Sequence, residues 1–340
     1  MLHSGIYYPA GSLKGKLCAA GAREMAAFCD EQQLPIDRLG KVILPLRADD
    51  DPQLDILLDR ARSNGAVAEM IDEAQLREIE PAARTVTGRA MFSPNTAVVD
   101  PLPIVRRIAG SLDVRCEQRV VRVRGDEVTT DRDRFAFGTF INAAGLHADT
   151  IAKMCGVGAD YVMLPFKGMY YRVWHLQLRR LIYPVPDLRV PFLGVHLTRT
   201  VHGEVLLGPT ALPALGRENY RGLQGISARD LVQITRRLTR QFITNAQGFR
   251  ALVRQELGRF TKHAFAEEAR TLVPALRDDD LGPSDHVGIR AQLVDTKKGE
   301  LVMDFLIERG ERSVHVLNAV SPGFTTAFPF ARYVVDMVSS

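Results

Sequence analysis

His315-Val316-Leu317-Asn318-Ala319-Val320-Ser321-Pro322-Gly323-Phe324-Thr325-Thr326 runs from a short apolar strand through small and hydroxylated residues into a helical pattern. Such a turn presents backbone N–H groups at a helix start, where they can meet an anion or an electron-rich ring edge. Pro322 near the helix start and hydroxyls in its first turn make a good cap. The same grammar recurs in Phe140-Ile141-Asn142-Ala143-Ala144-Gly145-Leu146-His147-Ala148-Asp149. Small residues at the end of that strand let a backbone approach a flat ligand or its diphosphate. Each turn alone reads equally as an ordinary strand-to-helix connection. Together, separated by a long insertion, they read as one cofactor domain interrupted by another domain.

Working outward, 340 residues suffice for two domains and a large core. The 44 basic and 40 acidic residues, net +4, are mixed along the chain and form no basic stripe with interleaved aromatics, so nucleic acid is not an expected partner. Cys18, Cys29, Cys116 and Cys155 form no CxxC and no zinc spacing with histidine, so they read as thiols in a reducing compartment and no metal is expected. No apolar run reaches the roughly 18 residues that span a bilayer, and no signal-peptide pattern opens the chain. The expectation is a cytoplasmic protein, with peripheral contact at the inner face of the membrane left open. GxSxG, Walker A, HExxH, EF-hand and G-x-G-x-x-G patterns are absent from the sequence.

Hydrophobic spacing predicts helices over 12–30, 53–64, 104–112, 146–155, 249–272 and 325–337, and one more that Ser227 caps. Asp72 with Gln75, and Ser227 with Asp230, sit at capping-box spacing, and Leu231, Ile234, Leu238 and Phe242 form the expected inner stripe of the helix after Ser227. Strands are expected at 41–46, 137–143, 168–174, 192–198, 204–208, 287–294, 301–307 and 313–318, with a hairpin turning at Gly125-Asp126. Gly288-Ile289-Arg290-Ala291-Gln292 places a guanidinium on an apolar strand. A half-buried arginine needs an anion, either a carboxylate ligand or a structural Asp or Glu. His196 in a strand and His3 near the start are each a packing residue or a base titrating near neutrality. Tyr7-Tyr8 and Tyr183-Pro184-Val185-Pro186-Asp187 wall a pocket or pack as loops.

These segments together resemble the L-2-hydroxyglutarate dehydrogenase (oxidase) family of FAD-dependent oxidoreductases, within the D-amino-acid-oxidase-like superfamily. The resemblance rests on His3-Ser4-Gly5-Ile6-Tyr7-Tyr8, Gly11-Ser12-Leu13-Lys14, Gly40-Lys41, Asn142-Ala143-Ala144-Gly145-Leu146, Pro165-Phe166-Lys167-Gly168, Ile182-Tyr183-Pro184-Val185-Pro186-Asp187, Pro191-Phe192-Leu193-Gly194-Val195-His196, Leu207-Gly208-Pro209, Gly288-Ile289-Arg290-Ala291-Gln292 and Asn318-Ala319-Val320-Ser321-Pro322. It implies an α/β fold: a Rossmann-like FAD domain over 1–40, 98–160 and 284–340, and an α+β substrate domain with a mixed or antiparallel sheet over 41–97 and 161–283. It further implies that the N-terminal GxGxxG unit, roughly 40–50 residues by the size of a βαβ unit, is missing from the chain.

By position, the resemblance puts the backbone of Val120 at the adenine and Ala144 and Gly145 near the diphosphate. Asn318, Ser321, Gly323 and Thr325 would line the isoalloxazine. Arg290 would hold the C1 carboxylate, and Lys167, Tyr8 or Tyr183 the distal carboxylate. The expected base is His196, with His3 second. The expected reaction is oxidation of L-2-hydroxyglutarate to 2-oxoglutarate, with quinone or oxygen as final acceptor. Oxidation of another 2-hydroxy acid or an amino acid, and a non-catalytic remnant unable to hold FAD, are the alternatives.

Overall fold

The computed structural model describes residues 1–189, 192–259 and 261–339. Pro191, in the run quoted above, and Phe260, inside the expected 249–272 helix, lie outside the described residues.

A ten-stranded sheet dominates. Its order is Glu300–Leu301, Leu281–Asp295, Tyr161–Val173, Val205–Gly208, His196–Arg199, Leu181–Pro184, Lys41–Leu44, Arg89–Ser93 and Glu69–Asp72, with Leu212–Pro213 also paired to Tyr161–Val173. Tyr161–Val173 and Leu281–Asp295 are far longer than the 168–174 and 287–294 expected, because they pair with each other over almost their whole length. Residues 284–295 therefore belong to the large sheet. Leu181–Pro184 and Lys41–Leu44 form the sheet's parallel pair; their neighbours run antiparallel.

Side-chain alternation divides this sheet into two cores. Val42, Leu44, Ile182 and Leu197 face one way and pack on Phe265, Ala269 and Leu272 of the helix Lys262–Leu272. Ile43, Leu181 and Tyr183 face the other way, with Ile6, Tyr7, Leu54 and Leu57.

A second, three-stranded sheet joins the two turns that opened the sequence reading. Phe140–Asn142 lies parallel to Ser313–Asn318, which pairs antiparallel with Leu306–Arg309. Asn142 holds the junction: its Nδ2 donates to Ala148 O at 2.8 Å and to His315 Nδ1 at 3.1 Å. An amide NH2 can only donate, so His315 carries its proton on Nε2, which meets Ser313 Oγ at 2.8 Å. The hairpin over Val120–Arg124 and Glu127–Thr130 forms as expected and adds Arg134–Ala136.

Locally encoded caps appear where the sequence places them. Ser12 caps Leu13–Glu31, Asp72 and Gln75 cap each other, and Ser227 caps Ala228–Thr244. The 249–272 expectation is corrected: Phe249–Gly258 and Lys262–Leu272 are separate helices, the second restarted by a Thr261 cap. The inner stripe of Ala228–Thr244 is also corrected. Ile234 and Gln241 are buried, whereas Leu231 and Phe242 face outward. Gln241 takes an inner position because its Nε2 donates to Gly299 O at 2.8 Å.

Arg217 clamps the two sheets together. It reaches Asp149 with Nη1 at 2.6 Å and Nη2 at 3.1 Å, and also donates to Leu146 O. Asp149 is buried and also accepts Met163 N at 2.9 Å. Removing one partner strands a buried charge, so Arg217→Ala is expected to cost about 3–5 kcal/mol. Urea unfolding will show this as a lower midpoint. Asp149→Asn in the same chain should recover part of the loss, since the charge is then gone.

Candidate active site

Between the large sheet and the helix Leu13–Glu31 lies a cavity of about 730 Å³, lined by His3, Tyr7, Tyr8, Lys14, Tyr170, Tyr183, His196, Arg290 and Ser321 among others. Its size suits a small-molecule site. Strand periodicity selects much of this lining. His196 stands opposite Gly208 and next to Leu197, so it faces away from the Leu197 core and toward Tyr183. The two rings stack at 3.9 Å between centroids and 19° between planes.

His196 Nδ1 lies 2.9 Å from Gly194 O. A carbonyl only accepts, so Nδ1 carries the proton and Nε2 keeps its lone pair. Burial, helped by the nearby Arg290 and Lys41 charges, pulls this imidazole down to about 3. His3 is held by the C-terminal turn. Its backbone N donates to Thr325 Oγ1 at 3.1 Å, and its Nε2 meets Ser321 Oγ at 3.1 Å. Its Nδ1 is buried without a partner, and burial first, then Lys41, keep the ring well below the usual histidine range.

Arg290 stands opposite Phe166 in the long strand pair and has its guanidinium 5.4 Å from the Phe192 ring. Its Nη1 donates to Thr210 O at 3.1 Å, and among the described residues no carboxylate lies within ion-pair distance. The structural-bridge alternative is therefore not what forms. Gly168 gives it room: a Cβ there would meet Arg290 Nη1 at 3.3 Å and Pro209 Cβ at 2.9 Å. Lys167 is one residue from Phe166, so the pleat sends it to the opposite face, where Nζ donates to Asn219 Oδ1 at 2.9 Å. It does not line the cavity. Tyr8 and Tyr183 do.

The C-terminal turn divides its labour. Ser321 lines the cavity. Asn318 is fully buried and spent on structure: Nδ2 donates to Val302 O and Asp304 O at 3.1 and 2.7 Å, and Oδ1 accepts Leu293 N at 3.3 Å. Gly323 is required by its own turn, since a Cβ would sit 2.3 Å from Ala319 O. Thr325 anchors His3. Val120, Ala144 and Gly145 do not line this cavity: Val120 is in the strand Val120–Arg124, and Ala144 and Gly145 are in the turn that follows Phe140–Asn142. Gly145 has φ +52° and open space beside its Cα.

Sequence reasoning missed Lys14, Lys41, Glu256 and Arg259. Lys14 lines the cavity with Nζ 5.9 Å from the Tyr8 ring and 5.6 Å from the Phe305 ring, and burial lowers it to about 8 despite Asp304. Asp304 itself caps the helix, accepting Leu13 N and Lys14 N at 2.8 and 3.0 Å. Glu256 accepts Ala211 N at 2.6 Å and Arg259 Nη1 at 2.8 Å, a buried pair at the cavity edge. The available signal for Lys41 was a lysine directly before the apolar run Val42-Ile43-Leu44.

These walls fit the ring-bearing end of a flavin. Aromatic faces and cations surround a roomy cavity, and the buried His3 Nδ1, Tyr7 Oη and Lys41 Nζ are left without partners. Buried polar atoms of this kind call for a polar ligand. The open Gly145 turn offers the close backbone approach that a diphosphate uses.

The chain belongs to the FAD dependent oxidoreductase family (DAO), whose model matches residues 1–337. It is an FAD-dependent enzyme of that family. Among curated proteins, it is 31% identical over 361 residues to the L-2-hydroxyglutarate dehydrogenase of Salmonella houtenae, covering 100% of this chain and 82% of that one. It is 33% identical over 356 residues to the protein of the same name from Indibacter alkaliphilus, covering 99% and 86%. Among solved structures, the FAD-bound L-alpha-glycerophosphate oxidase of Mycoplasma pneumoniae superposes with a TM-score of 0.73 at 18% identity, over 100% of this chain and 83% of that one. Glycine oxidase from Geobacillus kaustophilus superposes with a TM-score of 0.69 at 14% identity, over 99% and 82%.

Proposed function

We propose that the protein oxidises a 2-hydroxy acid to the 2-oxo acid, and that L-2-hydroxyglutarate is its substrate. The observation carrying this reading is the pairing of an unneutralised Arg290 with a lone-pair-bearing His196 on one cavity. FAD, when bound, supplies the acceptor for the hydride from C2. His3, Ser321 and the Tyr8 ring would border it, with the Ala144–Gly145 turn at its far end. Arg290 grips the C1 carboxylate through two parallel N–H donors and thereby fixes C2 in place. His196 Nε2 takes the hydroxyl proton, while Gly194 O and the Tyr183 stack hold the ring's tautomer and angle. Tyr8 and Lys14 are the groups on this cavity suited to a second carboxylate.

The test is a panel of L-2-hydroxyglutarate, its D-isomer, L-lactate, L-malate and glycine, offered anaerobically to FAD-loaded protein. L-2-Hydroxyglutarate should bleach the flavin fastest and yield 2-oxoglutarate by mass spectrometry. Fastest bleaching by an amino acid would reject the reading. Reoxidation by a quinone analogue or by air then identifies the final acceptor.

Peripheral membrane contact is part of the same proposal. Among the described residues no helix is long and apolar enough to cross a membrane. The helix Ala228–Thr244 exposes Leu231, Val232, Phe242 and Ile243. Arg229, Arg236 and Arg240 are exposed on the same helix. An apolar stripe with flanking arginines suits an anionic lipid surface. The protein should co-sediment with vesicles containing phosphatidylglycerol and much less with neutral ones. Val232→Glu/Ile243→Glu should abolish that difference.

A further inference from the structure

Lys41 opens a four-residue apolar strand, and its side chain is completely buried. Its Nζ has no hydrogen-bond partner. The Tyr7 ring lies 4.3 Å away and the Tyr183 ring 5.2 Å away. A desolvated cation is attracted to aromatic faces, but by less than it costs to bury an ammonium without a counter-charge. The amine is therefore under-compensated in the protein alone.

Ser93 stands opposite it on the strand Arg89–Ser93, and among the described residues none of the titratable groups that face it is a carboxylate. Tyr7 and His3 come from the N-terminal segment, Cys18 from the helix Leu13–Glu31, Tyr183 from the adjacent strand and His196 from the strand beyond. Lys14 lies across Cys18. Cys18 Sγ donates to His3 O at 3.2 Å, and burial holds this thiol up at about 12, so it supplies no counter-charge. Burial brings Lys41 itself down to about 7. Tyr7 and Tyr183, between which Lys41 sits, both line the cavity, as do His3 and His196.

We propose that Lys41 is a positioning residue whose charge is completed from the cavity: a carboxylate ligand held by Arg290 draws a buffer proton onto the Lys41 amine, and the resulting ammonium helps to hold that ligand. This rests on reading the cavity as a carboxylate site, and not on which hydroxy acid is oxidised. An anionic ligand would also offset Arg290, which no carboxylate among the described residues pairs with. His196 and His3 remain unprotonated beside it, which leaves His196 free to accept a proton.

Calorimetry with glutarate, a dicarboxylate without a hydroxyl to oxidise, tests it on the protein as purified. Titrations in buffers of different ionisation heat report protons taken up per ligand. Uptake should be clear at about pH 8 and fade toward about pH 6, and affinity should fall as pH rises through about 7. Lys41→Met should take up fewer protons than the parent at the higher pH. It should also bind glutarate roughly tenfold more weakly at the lower pH, as loss of a nearby unit charge implies. Its melting temperature should be equal or higher, since a buried unpaired amine is gone. Equal proton uptake and equal affinity in parent and variant would overturn the proposal.

Sulfate is the second probe. Sulfate uptake with Lys41-dependent protonation, alongside silence toward glutarate, supports the role of Lys41 and rejects the dicarboxylate reading. Binding of neither anion rejects both. Should Lys41→Met not fold, the ζ-nitrogen NMR titration of Lys41 in the parent decides. A midpoint that rises with bound anion supports the proposal, and an unmoved one overturns it.

Discussion

Arg290→Lys is expected to raise KM for the 2-hydroxy acid about 100-fold with a smaller change in kcat. Lysine keeps the charge but replaces a planar two-point fork with a single compact ammonium. Among the described residues the cavity's other arginines are engaged elsewhere: Arg259 with Glu256 and Glu268, and Arg60 with Tyr7 O. The loss corresponds to about 3 kcal/mol, within the range for truncating one side of a buried, hydrogen-bonded charge pair. Arg290→Met should lose more, because the ligand carboxylate then enters an apolar pocket unpaired. Steady-state kinetics over a wide substrate range will separate the two parameters. An unchanged KM in Arg290→Lys would remove the residue from substrate binding.

His196→Gln is expected to slow flavin reduction about 10²–10⁴-fold, the usual contribution of a positioned base. Stopped-flow single turnover isolates that step from reoxidation. Glutamine keeps a hydrogen-bonding side chain of similar reach, so the Tyr183 wall should stay in place while the proton acceptor is lost. The pH profile carries a second signature. Burial places the free-enzyme imidazole at about 3, so its base form persists throughout the neutral range. The acid-side fall of kcat/KM attributable to this group should therefore lie well below the ordinary histidine value of 6.5. A parent-like reduction rate in His196→Gln would pass the role to His3, whose Nδ1 is buried without a partner.

The contrast between Arg290 and Lys167 shows where linear reading stops. Both are basic residues in strands of one antiparallel pair; the resemblance gives Arg290 the C1 carboxylate and makes Lys167 one of three candidates, with Tyr8 and Tyr183, for the distal one. Cross-strand register makes Phe166 the partner of Arg290, and that leaves Lys167 on the other face with Asn219. Register follows from the whole length of the pairing, 161–173 against 281–295, which no local motif announces. Asn318 makes a similar point. A buried amide in a turn suits a ligand on paper, yet its three hydrogen bonds go to Leu293, Val302 and Asp304, which reach it only after the chain folds back.

By itself the sequence determined the local and the periodic. Ser12, Asp72 and Ser227 cap helices because their partners lie three residues away, within reach before any tertiary structure exists. The two strand–turn–helix units, the hairpin at Gly125-Asp126 and the family resemblance were legible for the same reason: each is written in contiguous residues. Only the tertiary structure decided that Lys41, Tyr183 and His196 share one face, that Thr325 holds His3, and that Arg217 meets Asp149. Those contacts join residues dozens to hundreds apart, and burial, not residue type, sets what the groups do. A lysine without water or a carboxylate is brought down to about 7, and a histidine with one nitrogen tied to a carbonyl keeps the lone pair on the other.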